Sequence, residues 1–151
     1  MNAENSPKKI LKRALNVVRP SFTQVAALCL RDGPDGTEVL LIQTLTRKLW
    51  MIPKGWPIDG LTLSEAAAQE AWEEGGIRGI IETQPMGAFD YAKIKQSGLP
   101  VQCRAQVFRL TVTEVSDTYP EAGIRTRRWV SPKKASKMVE TKGLASLLAD
   151  L

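Results

Sequence analysis

A chain of 151 residues, 43% apolar and 25% charged, has the size and composition of one globular domain with a core of its own. It contains no histidine, which excludes histidine general bases, Ser-His-Asp triads and most transition-metal sites, and leaves carboxylates, lysines and hydroxyls for any chemistry. The formal net charge of +5 suits an anionic partner, either nucleic acid or a phosphorylated small molecule. Residues 1–7 are polar and expected to be disordered, without the apolar stretch of a secretory signal. Residues 8–19, KKILKRALNVVR, space Ile10, Leu11, Ala14, Leu15 and Val18 as an amphipathic helix does, with basic residues between them. The expectation is a solvated basic segment packing a few apolar side chains on the domain, rather than a membrane-surface helix. Residues 22–31 and 38–44 read as two strands around the turn-rich DGPDGT, and 49–53 as a third extended piece. A helix follows over 63–74, then a short apolar strand at 77–82. Residues 87–91 and 101–115 read as strand partners joined by the basic loop KIKQSG. In the second of them Val101, Cys103, Ala105 and Val107 alternate with Gln102, Arg104 and Gln106. Residues 124–130 form a final strand. Ser131 as N-cap and Pro132 as first residue start a helix, and Leu144, Leu147, Leu148 and Leu151 supply the apolar stripe of a C-terminal one. No apolar run approaches the roughly 18 residues of a membrane span. Cys29 and Cys103 lie in strands with neither disulfide framework nor zinc spacing, as reduced core residues of a cytoplasmic protein. The class is mixed α and β.

The chemistry concentrates at residues 54–77, KGWPIDGLTLSEAAAQEAWEEGGI. Thr62 and Glu65 match a capping box, so the helix should begin near Leu63, and Gly75-Gly76 should end it. At about 100° per residue, Leu63, Ala66, Ala67, Glu70, Ala71, Glu73 and Glu74 share a broad face, opposite Ser64, Glu65, Gln69 and Trp72. The stripe that starts apolar becomes acidic, whereas a solvated acid face would lie opposite it. Three carboxylates also crowd the end where the helix dipole disfavours negative charge by a few tenths to about 1 kcal/mol each. That arrangement points to a compensating cation and favours a divalent-metal site over an incidental charged face. Trp72 reads as a packing residue.

Gly55, Glu70, Ala71, Glu73, Glu74, Gly76 and Ile77 stand at the spacing of G-x5-E-x7-R-E-U-x-E-E-x-G-U, and the stretch resembles the Nudix box. The resemblance runs from about Val25 to the C-terminus. With the RRWVSPKKASKMV segment it is most similar to the diphosphoinositol polyphosphate phosphohydrolase branch, which also cleaves diadenosine polyphosphates. It implies an α+β fold, an α/β/α sandwich with a central mixed sheet, a catalytic helix and a C-terminal helix. The implied domain covers 21–151, after a partly disordered basic segment at 1–20. It also implies a Mg²⁺ or Mn²⁺ site made by Glu70, Glu74 and the backbone of Lys54 and Gly55 at the loop start, with Glu73 as base or as ligand of a second ion. Leu61 stands where the family has glutamate and Gln69 where it has arginine. The two changes remove opposite charges, so neutral packing and hydrogen bonding are expected in their place. Phosphoanhydride hydrolysis needs an in-line water, an acceptor for its proton and cations to neutralise phosphate charge, all of which carboxylates and their cations supply.

A polyanionic substrate needs a basic rim, and Arg47, Lys48, Lys93, Lys95, Arg104 and Lys142 are the candidates. Arg104 stands out because a strand should hold it rigidly. Thr23, Gln24 and Val25 occupy positions where the branch carries lysine and arginine, which leaves dinucleoside polyphosphates as well supported as diphosphoinositol polyphosphates. Trp56 is placed to stack on a base, while Trp50 is better read as packing. The expected partner is a phosphorylated small molecule rather than nucleic acid or a membrane, and the chain is a monomer or homodimer. The rival reading, favoured by Leu61 and Gln69, is a catalytically weak domain that binds a phosphorylated ligand or RNA.

Overall fold

The run Val25-Ala-Ala-Leu-Cys29 is fully buried along its whole length, as a strand covered on both faces must be. In the computed structural model, which describes residues 22–95 and 97–151, it forms the middle of β1 (Phe22–Gly33). The amphipathic spacing at 8–19 lies outside the described residues. Strand β1 pairs in parallel with β7 (Pro100–Val115) and antiparallel with β2 (Gly36–Gln43) and β4 (Lys54–Gly55). Strands β3 (Trp50–Met51), β5 (Ile77–Ile81), β6 (Gly87–Ile94) and β8 (Arg127–Val130) complete an eight-stranded mixed sheet among the described residues, with a spine ordered β3-β2-β1-β7-β5.

The two-residue period sorts the core into two layers. Ala26 and Leu28 of β1, with Val39 and Leu41 of β2, face α2 (Pro132–Met138) and α3 (Lys142–Ala149) through Ala135, Leu144 and Leu148. Val25, Ala27 and Cys29, with Leu40 and Ile42, face α1 (Leu63–Gly75) through Ala66, Ala67 and Ala71. Helices cover both faces, which is the expected sandwich. Burial pushes the Cys29 thiol up to about 12, and both cysteines are buried and free. Among the described residues no helix is long and apolar enough to cross a membrane.

Several sequence expectations shift in detail. The extended piece at 49–53 divides into β3 and the approach to β4, where Ala27 N–H donates to the Pro53 carbonyl at 2.9 Å. Strand β6 runs on to Ile94, into the expected basic loop. The last strand begins only at Arg127, because turn hydrogen bonds from Ala122 to Tyr119 and from Ile124 to Glu121 occupy the residues before it. Leu151 lies beyond α3 and is exposed. Leu63, expected on the buried face of α1, is 40% exposed, and Ser64 is buried instead. Helical phase is not the reason, because Leu63 lies within about 60° of the axis of the stripe Ser64, Ala67, Ala71 and Glu74. What sets it apart is its place as the first residue of α1.

Candidate active site

Strand β4 places Lys54 and Gly55 against Ala26 and Val25 of β1, and the following loop delivers Thr62 as N-cap of α1. The capping box forms in both directions: the Thr62 hydroxyl accepts from Glu65 N–H at 3.2 Å, and Glu65 Oε1 accepts from Thr62 N–H at 2.9 Å. This sets the helical phase and so the placement of the acids two turns later. Gly76 closes the helix in the left-handed region at φ 69°, a conformation open to glycine without strain.

The three carboxylates meet three different surroundings. Glu74 is buried; its Oε1 accepts from Lys54 N–H at 3.0 Å, and its Oε2 lies 3.2 Å from Arg125 Nη2. Glu70 folds onto the loop backbone, where a Cβ on Gly55 would meet its Cδ and Oε1 at 2.4 Å. Glu73 Oε1 accepts from Gln69 Nε2 at 2.9 Å. The amide therefore gives Glu73 the neutral hydrogen bond expected from the exchange at position 69. Leu61 and Gln69 line one cleft of about 320 Å³ with Trp72, Ile81 and Leu110. Trp72 packs edge-on against Tyr119, with the Arg78 guanidinium 3.8 Å above its ring, as a packing residue does.

Burial, then the charges of Glu74, Glu73 and Glu121, raise the Glu70 carboxyl to about 7, with Arg125 opposing. Burial also raises Glu74, against the Lys54 N–H and Arg125, which stabilise its anion. Burial lowers the Lys54 ammonium, with Glu74 opposing.

Sequence reasoning missed Arg125 and the fourth acid, Glu121. Glu121 sits in a segment that carries no periodic signal, Arg125 falls in the expected strand at 124–130 that begins only at Arg127, and only the chain path brings them to α1. That segment also closes the helix end: Ser116 N–H donates to the Gly76 carbonyl at 2.9 Å, Glu121 N–H to the Glu73 carbonyl at 3.0 Å, and Arg127 Nη1 to the Gly75 carbonyl at 2.9 Å. Helix α1 has no basic residue in its last turn. The compensating positive charge inferred from its misplaced acids is thus met in part by the protein's own arginines.

The donor set still fits a hard divalent cation. Among the described residues no three acidic side chains converge on one point, because Glu73 is turned toward Gln69. Magnesium, however, is commonly held by one or two carboxylates plus waters and substrate phosphates. Glu70 and Glu74, one turn apart on one face and both against the Lys54-Gly55 backbone, provide that pair. Because the Glu70 carboxyl titrates near 7, apparent Mn²⁺ affinity is expected to rise with pH through about 7, as the proton ceases to compete. The corresponding sign for folding is opposite. A carboxyl raised from 4.5 to about 7 stabilises the metal-free fold below pH 4.5, and that contribution is lost as pH rises through 7. Mn²⁺ titrations and metal-free melting curves between pH 5 and 8, compared with Glu70→Gln, check both; a flat Mn²⁺ profile in the wild type would contradict the first.

Beside Glu74 opens a cavity of about 200 Å³ lined by Gln24, Thr44, Lys54, Gly55, Lys93 and Arg125, among others. Of the six basic candidates, Lys93 lines it. Lys93 Nζ also sits 5.0 Å over the Trp56 ring, and Lys95 Nζ 5.5 Å over Phe22, which meets Trp56 edge-on at 5.9 Å. Arg104 is exposed and spans both oxygens of Asp90 at 2.8 and 3.1 Å. Arg47 lies 3.8 Å from Glu140, Lys48 holds φ at 57°, and Lys142 is the exposed first residue of α3. Trp50 packs half-buried against the core, while Trp56 is 43% exposed.

Residues 22–151 match the family model of the NUDIX domain. Nudix hydrolase 13, mitochondrial, of Arabidopsis thaliana is 32% identical over 125 residues, 79% of this chain and 61% of that protein. Diphosphoinositol polyphosphate phosphohydrolase 2 of Rattus norvegicus is 26% identical over 119 residues, 78% of this chain and 62% of that protein. This chain therefore spans about three fifths of the length of each (61% and 62%). Among solved structures, the C. elegans Ap4A hydrolase superposes with a TM-score of 0.62 at 21% identity, covering 85% of this chain and 93% of that one, a likeness of fold.

Proposed function

Because this chain belongs to the Nudix family, we propose that it hydrolyses a phosphoanhydride (pyrophosphate) bond, using Mg²⁺ or Mn²⁺, in a nucleoside-diphosphate-linked, dinucleoside polyphosphate or diphosphoinositol polyphosphate substrate. One observation carries the reading: Glu70 and Glu74 share a face of α1 against the Lys54-Gly55 backbone, beside a cavity rich in positive charge. Glu70, Glu74 and the backbone of Lys54 and Gly55 hold the cation. When bound, the cation neutralises charge on the phosphates and polarises the bond to be broken. Glu73, half-exposed and held by Gln69, takes the proton of the attacking water. Lys93, with Arg47, Lys48, Lys95, Arg104 and Lys142, forms the basic approach.

Trp56, half-exposed beside Phe22 and under Lys93, supports a substrate with an aromatic base. Neutral Gln24 in the cavity supports the same choice over a bare inositol polyphosphate. The name of the rat relative keeps the inositol class in view, and that of the C. elegans structure the dinucleoside class. The reducing cytoplasmic setting rests on two unpaired buried thiols, while the Arabidopsis relative's name carries the word mitochondrial. Assembly as a monomer or homodimer goes with this reading.

The test is phosphate release across diadenosine polyphosphates, nucleoside diphosphate derivatives and diphosphoinositols, with Mg²⁺, with Mn²⁺ and with chelator. Turnover of one class that chelator stops is expected. The second reading, a phosphorylated-ligand or RNA binder, is favoured by the rotation of Glu73 toward Gln69. It prevails if no panel member turns over while one still binds tightly.

A further inference from the structure

The acidic end of α1 touches a cation from outside the helix. Arg125, in the turn-rich segment before β8, places Nη2 3.2 Å from Glu74 Oε2 and 3.3 Å from Glu121 Oε1, and its Nη1 donates to the Gln43 carbonyl at 3.3 Å. Its side chain is 13% exposed, and its Nε is buried without a partner. Among the described residues it is the one basic side chain within ion-pair distance of Glu70, Glu73 or Glu74. Residue 69, on the helix itself, offers Glu73 an amide and no charge.

The placement of the guanidinium is constrained on several sides. Glu121, which it holds, is tied by its own N–H to the Glu73 carbonyl, and Ser116 is tied to Gly76. Arg127, two residues on, bonds the Gly75 and Ser116 carbonyls and Asp117. The segment from Ser116 to Arg127 is therefore fastened to the C-terminal end of α1. Glu74 is in turn held at both oxygens, Oε1 by Lys54 N–H and Oε2 by Arg125. A carboxylate has room for about four hydrogen bonds, so one hydrogen bond and one ion pair restrain it and leave lone pairs free.

We infer that Arg125 is a positioning residue: from the segment before β8 it orients the Glu74 carboxylate as a metal ligand, supplying the guanidinium that position 69 of the helix lacks. This rests on the metal-dependent reading above. Two effects of removing it have opposite signs. Losing a positive charge beside the site tightens binding of a divalent cation by simple attraction. Losing the contact that orients a ligand weakens metal binding, by about 10–100-fold for typical supporting groups. The sign of the change identifies the role.

The experiment measures Mn²⁺ affinity without substrate, by the electron paramagnetic resonance signal of free Mn²⁺, in the full chain and in Arg125→Gln and Arg125→Lys, with melting curves for each. Arg125→Gln is expected to stay folded and to raise the Mn²⁺ Kd about tenfold or more. Arg125→Lys should recover only part of the loss, because a point charge cannot span Glu74, Glu121 and the Gln43 carbonyl together. A Kd in Arg125→Gln equal to or tighter than wild type overturns the inference and leaves the metal reading standing. Should Arg125→Gln fail to fold, Arg125→Lys decides: a raised Kd supports the role and a wild-type Kd overturns it. A wild-type chain that binds no Mn²⁺ removes the metal reading and this inference together.

Discussion

Glu74→Gln is expected to give a folded chain that neither binds Mn²⁺ nor releases phosphate from any substrate the wild type hydrolyses. Glu74 is the most deeply buried of the three acids, and its two oxygens already face fixed donors. An amide keeps one acceptor but presents its NH₂ to either Lys54 N–H or Arg125. One buried donor mismatch costs about 1–3 kcal/mol, or roughly 2–4 °C in Tm per kcal/mol for a domain of this size. Burial is the largest influence against the charge of Glu74, so its neutralisation offsets part of that loss. Glu73→Gln is expected to differ in kind. Glu73 is half-exposed, and its replacement still meets Gln69, so Mn²⁺ binding should persist while kcat falls on the order of 10²–10⁴-fold, the usual contribution of a proton acceptor. Hydrolysis surviving in both variants would remove the assignment of ligand and base. Retention of full Mn²⁺ affinity in Glu74→Gln alone would remove Glu74 from the ligand set.

Gly55→Ala should produce a comparable loss of function with almost no loss of fold. The Gly55 backbone does not lie in the left-handed region, so alanine is conformationally acceptable there. Space is the constraint. A methyl group would stand 2.4 Å from Cδ and Oε1 of Glu70, about 1 Å inside normal contact. The obstructed atoms are the far end of a flexible side chain, so the carboxylate swings away and the core is untouched. A displacement of about 1 Å in a reacting constellation can cost about 10²-fold in rate. The expected result is kcat/KM down by about that factor, with Tm close to wild type. Wild-type kcat/KM in a folded Gly55→Ala chain would show that Glu70 does not act from the loop backbone.

The contrast between these residues and Arg125 marks how far the site could be read before the fold. Glu70 and Glu74 were legible because residues four apart on a helix share a face, and the Thr62–Glu65 box set where counting began. The capping box and the glycine stop appear in the structure where the spacing placed them. Leu63 lies near the buried stripe by helical phase but is exposed at the first position of α1, which spacing alone does not show. The neutral exchange at position 69 was also legible, and Gln69 bonds Glu73 across one turn. Arg104 drew attention as a strand residue, and the structure pairs it with Asp90 on the neighbouring strand. No feature of the chain before Arg127 distinguished Arg125 from other surface arginines.

The sequence by itself determined the helix and its ends, the three acids at its close, the alternating strands and the family they belong to. All of these depend on interactions between residues a few positions apart, whose geometry the backbone repeats impose. Only the tertiary structure decided that Lys54 N–H and Arg125 grip Glu74, that Glu70 lies on Gly55, and that Glu121 joins the acids. Those contacts join segments far apart in the chain. They follow from sheet register and from the path of the segment between β7 and β8, and neither leaves a period in the sequence.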